Sequence, residues 1–302
     1  MDTIETLAAK MDQLGLWDRV LPFNWAVKQK GTAVPYFCSV IKGEVPLVKV
    51  RFLMLAGWQT LNEYVLSRAD PQIGFYSSPM EIPHYELVIA ITGEARLFRY
   101  ETGYMPVEAN EKQRAFIQPI LWQSYGLMLR MENDERLPLK YAEERAIFAR
   151  VEKGNDVWED EPLMIPDARP IVEKISLSKD LVGKVKDLPF LKEVSYNFDF
   201  LLDPKLMTAE KRPRTVYRLW ARDNSTDETV IDTRISLPSE ATLKSLWEEM
   251  PAEVLKNFLR LGKVPGELRV QSGRVFRFLR PLCLELPLKL SLHDSFSTEE
   301  SK

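Results

Sequence analysis

The chain holds very little of what most site chemistry is built from. Its 302 residues include only two histidines, His84 and His293, and two cysteines, Cys38 and Cys283. Neither cysteine belongs to a Cys-x-x-Cys pair, so the expectation is two buried thiols in a reducing compartment. Two histidines without clustered partners make no His-rich metal set, and both read as surface or strand-end residues. His293 and Asp294 are adjacent, so on a strand they point to opposite faces. The 13 glycines are scattered. Gly-x-x-x-x-Gly-Lys-Ser/Thr, Gly-x-Gly-x-x-Gly and Gly-x-Ser-x-Gly are all missing, which removes the usual phosphate loops and the hydrolase elbow. No catalytic residue, metal or cofactor is expected. The densest apolar run, Phe52 to Trp58, is far shorter than the roughly 20 residues of a membrane span. The acidic start, Met1-Asp-Thr-Ile-Glu-Thr-Leu7, has no signal-peptide pattern. A cytoplasmic protein with no membrane association is expected.

What is present is ordinary globular material. Hydrophobic residues make up 45% and charged residues 28%, with a net charge of -3; that is too apolar for a disordered chain, and the length suits about two domains. Apolar residues at helical spacing predict a helix over 2–20, through Ile4, Leu7, Ala8, Met11 and Leu14. Strands are expected at 34–42 and 45–55 as a hairpin, then near 72–77, 84–92 and 95–100. A helix is expected over 58–68 and another over 108–131, broken at Pro119. Residues 140–152 could turn from helix into strand. Glu161 to Pro170 carries three prolines, predicts a stiff connection, and is taken as the linker between lobes 1–165 and 166–302.

In the second lobe, strands are expected at 194–202, 215–221, 229–237 and 267–271. A helix capped by Ser239 should run to Leu261, with a reset at Pro251, and a second, capped by Ser272, to about Glu285. A last strand follows at 288–292. The fold class is therefore mixed α/β (α+β): two lobes, each a mixed sheet of hairpin strands plus strand–helix–strand units, flanked by helices. The rhythm Val48–Leu55 then the Trp58 helix parallels Val230–Leu237 then the Trp247 helix, which would fit a duplication.

Charge is the sharpest local feature. Between Pro251 and Leu290 stand eight bases and three acids. Arg274, Arg277 and Arg280 recur every third residue, so they are expected on one helix face; with Lys263 and Arg269 they form a candidate surface for an anion, a nucleic acid or an acidic partner. The plainer alternative is a solvated face whose arginines meet the acids of 132–161. Of the seven tryptophans, five read as core, while Trp25 and Trp158 sit in polar, loop-like surroundings and are candidate anchors for a partner.

The layout of the second lobe resembles the ribonuclease-H-like arrangement of nucleases and transposases. That resemblance implies carboxylates on divalent metals, one in the middle of the first strand and one at the end of the fourth. With Thr215–Ala221 taken as the first strand, no acid is there, and the strand from Glu267 ends in Gln271; Asp223, Asp232, Glu240 and Asp294 read as turn, strand-face and cap residues. The metal site is expected to be absent. Separately, Leu121–Arg130, Leu137–Glu152 with Trp158, and Leu261–Ser272 with Leu279-Arg-Pro-Leu282 are similar to a bacterial family of unknown function, which implies no activity. The leading expectation is a non-catalytic protein working through protein–protein or intramolecular surfaces, self-association included. The alternatives are a nucleic-acid binder with a degenerate ribonuclease-H-like lobe, and a hydrolase with carboxylates gathered between the lobes.

Overall fold

The computed structural model describes residues 2–16, 25–43, 46–69, 83–101, 103–154, 156–166, 175, 177–207, 214–236 and 243–293. It is a mixed α+β fold of two units. The first is built from Met1–Asn62, Met80–Glu101 and Pro106–Arg169, and the rest of the chain groups as the second.

In the first unit, helix α1 (Ile4–Leu14) starts where Thr3 accepts the Thr6 amide and ends at Gly15, whose φ of 60° suits a residue without a Cβ. Strands β1 (Trp25–Lys28), β2 (Tyr36–Lys42) and β3 (Val48–Ala56) follow, then α2 (Gly57–Ala69). Next come β4 (His84–Ala90), β5 (Ala95–Tyr100) and β6 (Val107–Glu108). After α3 (Glu111–Met131) the chain closes the unit with β7 (Ala146–Gly154) and β8 (Val157–Met164). They form one eight-stranded sheet, order β6-β5-β4-β3-β2-β1-β7-β8, antiparallel except where β1 runs parallel to β7, Trp25 beside Phe148.

Alternation along these strands sends two sets of side chains apart. Trp25, Val27, Cys38, Phe52, Met54, Leu87 and Phe148 pack under the apolar sides of α1 and α3. Phe37, Ser39, Leu53, His84 and Glu86 face the other way, and they too are buried.

Helix α3 is one uninterrupted helix, not two broken at Pro119. Asn110 and Gln113 form a reciprocal capping box at its start. Ile117, Ile120, Leu121, Leu127 and Met128 are buried along it, and that continuous packing outweighs the one hydrogen bond that proline removes. Residues 140–152 resolve as turns followed by β7. The proline-rich stretch from Glu161 begins as part of β8, an edge strand whose ladder with β7 reaches Met164. The strand expected near 72–77, and Ser239 as a cap, lie outside the described residues.

The second unit holds α4 (Lys179–Lys186), β9 (Phe190–Met207), β10 (Thr215–Asp223), β11 (Thr229–Ser236), α5 (Leu243–Leu261), β12 (Val264–Val270), α6 (Gly273–Glu285) and β13 (Lys289–Leu292). Its sheet has the order β11-β10-β9-β12-β13. The first three strands are antiparallel, and β12 lies parallel to both β9 and β13. Helix α5 runs through Pro251 without a reset. Ser272 caps α6 as expected, accepting the Val275 amide at 3.0 Å. One side of the sheet, with Tyr196, Phe198, Phe200, Tyr217, Leu219 and Leu268, packs on Trp247, Met250, Phe258 and Phe278 of the two helices. The Phe200 and Trp247 rings meet edge to face at 4.9 Å. Residues from Glu63 onward in α2 belong with this unit, as does Tyr104, bridged to Arg214.

Candidate nucleic-acid interface

The side of the second sheet opposite its core carries polar or charged residues on every strand. In β9 it carries Asn197 and Asp199, because Tyr196, Phe198 and Phe200 take the core side. The antiparallel register puts Trp220 of β10 beside Asp199, with Arg218 and Arg222 on either side of it. On β11 the same side shows Asp232 and Arg234, and on β12 and β13 it shows Glu267, Arg269, Lys289 and Ser291. An aromatic among arginines on a sheet is a surface on which a base or a guanidinium plane can stack.

Its arginines are ordered by local acids. Arg218 forks onto Asp232 at 2.7 and 2.8 Å, which holds the Asp232 carboxyl below its ordinary range. Arg222 lies 5.6 Å over the Trp220 ring and pairs with Asp227 at 3.0 Å. Glu267 collects Lys289 at 2.7 Å, the Ser291 hydroxyl at 2.9 Å and Arg269 at 3.1 Å. Burial alone would raise the Glu267 pKa, but these three partners together pull it down to about 2. Arg234 is exposed.

The strand positions revise the carboxylate reading of the sequence. The first of the five strands is β9, not Thr215–Ala221, and it has an acid at its middle: Asp199, only 6% exposed. The parallel ladder of β12 on β9 ends with Arg269 beside Asn197, and Gln271 follows directly after the end of this fourth strand at Val270. Asp223 binds the Ser225 amide and hydroxyl as a turn residue, and Asp232 is a strand-face residue. Among the described residues, no three metal-ligating side chains gather.

The predicted basic face of α6 does not hold as a set. Arg274 is buried, its guanidinium 5.6 Å over Trp247, whereas Arg277 and Arg280 are exposed. A step of three residues falls about 60° short of a full turn, so a run of three such positions drifts round the helix and Arg274 ends at the core margin. Lys263 is half-buried before β12; burial would raise the Asp223 carboxyl, but its hydrogen bonds to Ser225 and to the Thr226 amide and, last, the Lys263 charge hold it below its ordinary range. Arg269 lies on the sheet, on the opposite side from α6.

Trp25 is not a surface anchor. It is fully buried as the first residue of β1, a short strand between β2 and β7, and its indole N–H donates to the Ser124 hydroxyl at 3.1 Å. Trp158, in β8, is half-buried against the same core. His84 is no surface residue either: it is fully buried, stacked on Tyr100 at 4.7 Å. Cys38 is buried and its thiol is pushed up to about 12 by burial, while Cys283 is half-buried and also raised by burial. His293 meets the Ser291 hydroxyl at 2.9 Å.

Sequence reasoning missed Arg218, Trp220, Arg222 and Asp199. The signal was there as strict alternation in Tyr196–Phe200 and Tyr217–Ala221, with the charged partners on the off-beat. No helix of the described chain is long and apolar enough to cross a membrane. No family model, no curated protein and no solved structure matches the chain.

Proposed function

We propose that the protein works by binding rather than by bond chemistry, and that its second unit is a ribonuclease-H-like module that holds single-stranded nucleic acid on the polar side of its sheet. The observation that carries the reading is the strand plan of that sheet: three antiparallel strands, then two parallel ones, joined through α5 and α6, with Asp199 at the middle of the first strand. Ribonuclease-H-like proteins place a carboxylate at that point and a second at the end of the fourth strand. Here the second position is Gln271, so one half of the usual metal-binding pair is an amide. The Arg218–Trp220–Arg222 row with Arg234 supplies charge for phosphates and a ring for a base.

Fluorescence anisotropy with short single- and double-stranded oligonucleotides, at low and at physiological salt, tests this. Binding to the single strand should weaken steeply with salt and be lost in Arg222→Glu plus Arg234→Glu. Trp220→Ala should weaken it at every salt concentration. Arg277→Glu plus Arg280→Glu, on the helical side of the sheet, should leave binding unchanged, and magnesium should bring no cleavage. No binding at low salt, or binding that follows the α6 pair instead, overturns the reading.

A further inference from the structure

The geometry points to a binding site for a small carboxylate at one end of the first sheet, where Tyr36, Tyr85 and Arg99 meet beside Phe116. Tyr36 opens β2, Tyr85 is the second residue of β4, and Arg99 is the last but one of β5. The ladder of β4 on β5 sets Tyr85 directly beside Arg99. On β3, the small Ala56 pairs with Tyr36. The two phenol rings stand 6.4 Å apart, and the Phe116 ring of α3 lies 5.8 Å from the first and 6.5 Å from the second. Tyr36 is 5% and Tyr85 6% exposed, whereas Phe116 is 37% exposed and marks the open side.

The polar groups of this corner have no work inside the chain. Polar groups taken out of water are nearly always hydrogen-bonded, and an exception calls for a partner from outside. Among the described residues, neither phenol hydroxyl has a hydrogen-bond partner. The Arg99 Nε is buried and also without one, while the Nη2 of the same guanidinium is held by Glu101. Burial first, and then Tyr85, push the Tyr36 hydroxyl above its ordinary value, and burial does the same to Tyr85; in both cases the Arg99 charge opposes the rise. Both hydroxyls therefore keep their protons, and the guanidinium is near enough to act on each.

The chemistry of the occupant follows from what is left over. Two O–H groups and one N–H are donors, and their match is a group that only accepts. An ionised carboxylate is such a group and takes donors on both oxygens. Glu101 already neutralises the guanidinium, so recognition rests on directed donors rather than on surplus positive charge, which disfavours a doubly charged phosphate. The open Phe116 ring adds an apolar wall for the body that carries the carboxylate.

Isothermal titration calorimetry of the full chain with sodium benzoate, sodium acetate and sodium phosphate tests the assignment. Benzoate should bind, acetate more weakly for want of a ring, and phosphate most weakly. Tyr36→Phe and Tyr85→Phe should each weaken benzoate by roughly tenfold or more, the loss of one hydrogen bond to a charged group. Neither variant should lower the urea midpoint, because neither hydroxyl is bonded within the protein; a hydroxyl with a structural role would lower it. Arg99→Gln should abolish benzoate binding. Four results overturn the proposal: no heat of binding with benzoate on the order of 10 mM, phosphate bound more tightly than benzoate, benzoate binding indifferent to both tyrosine variants, or a lowered urea midpoint in both of them.

Discussion

At the scale of single residues, the first unit stores a titratable group where protons cannot follow. His84 is fully buried, and burial first, then the nearby Arg51 charge, depress its pKa to about 3 from an ordinary 6.5. The unfolded chain therefore takes up a proton that the folded chain refuses. The stability linked to His84 is fully present above about pH 6.5 and is lost progressively as pH falls from there toward 3. Urea unfolding at pH 7 and pH 5 should show wild type losing about 2 kcal/mol more than His84→Gln across that interval; equal losses in the two proteins would mean the ring is not shielded. The sequence placed His84 correctly at a strand start. Its depth was not legible, because the residues that bury it alternate with core residues on β3 to β5 and become neighbours only once the strands pair. Trp25 failed for the same reason: a four-residue strand between two others looks like a loop in one dimension.

At the scale of elements, the helices were legible where caps and apolar spacing agree. Ser272 and Gly273 announce α6, and Ser272 does accept the Val275 amide. Ser272→Ala should cost about 1 kcal/mol of stability, read from the denaturant midpoint, because the first-turn amide loses its acceptor; no change in midpoint would remove the cap from the account. The strands of the second unit were legible too, but their order was not. Strand order is set by crossovers through α5 and α6, and nothing in β9 itself says that it is central. That single gap moved Asp199 out of view and made Thr215–Ala221 look like the first strand. The prolines misled in a similar way. Pro119 and Pro251 read as breaks, yet both lie inside helices whose buried sides run on across them, and packing outweighs one missing backbone donor.

At the scale of the molecule, two separate hydrophobic cores divide the chain, and the division is not a single cut. The second unit takes its sheet from residues beyond Pro170 but also claims the end of α2 and Tyr104, which bridges to Arg214. A fragment spanning 170–302 should therefore melt at a lower temperature than the second unit does in the full chain, by circular dichroism and tryptophan fluorescence, even though its five strands and their core are all present. An identical melting temperature would make the earlier segments dispensable.

The parallel joint between β1 and β7 has a consequence in time. Trp25 pairs with Phe148, so the strand that completes its other edge leaves the ribosome more than a hundred residues later. At about 5–20 residues per second the wait is on the order of ten seconds. During it β1 has only β2 to hold, and the seam meant for β7 stays open to any passing strand. The nascent chain is thus at its most aggregation-prone before Ala146 emerges, and a chaperone that covers extended apolar segments would have its clearest task in that interval.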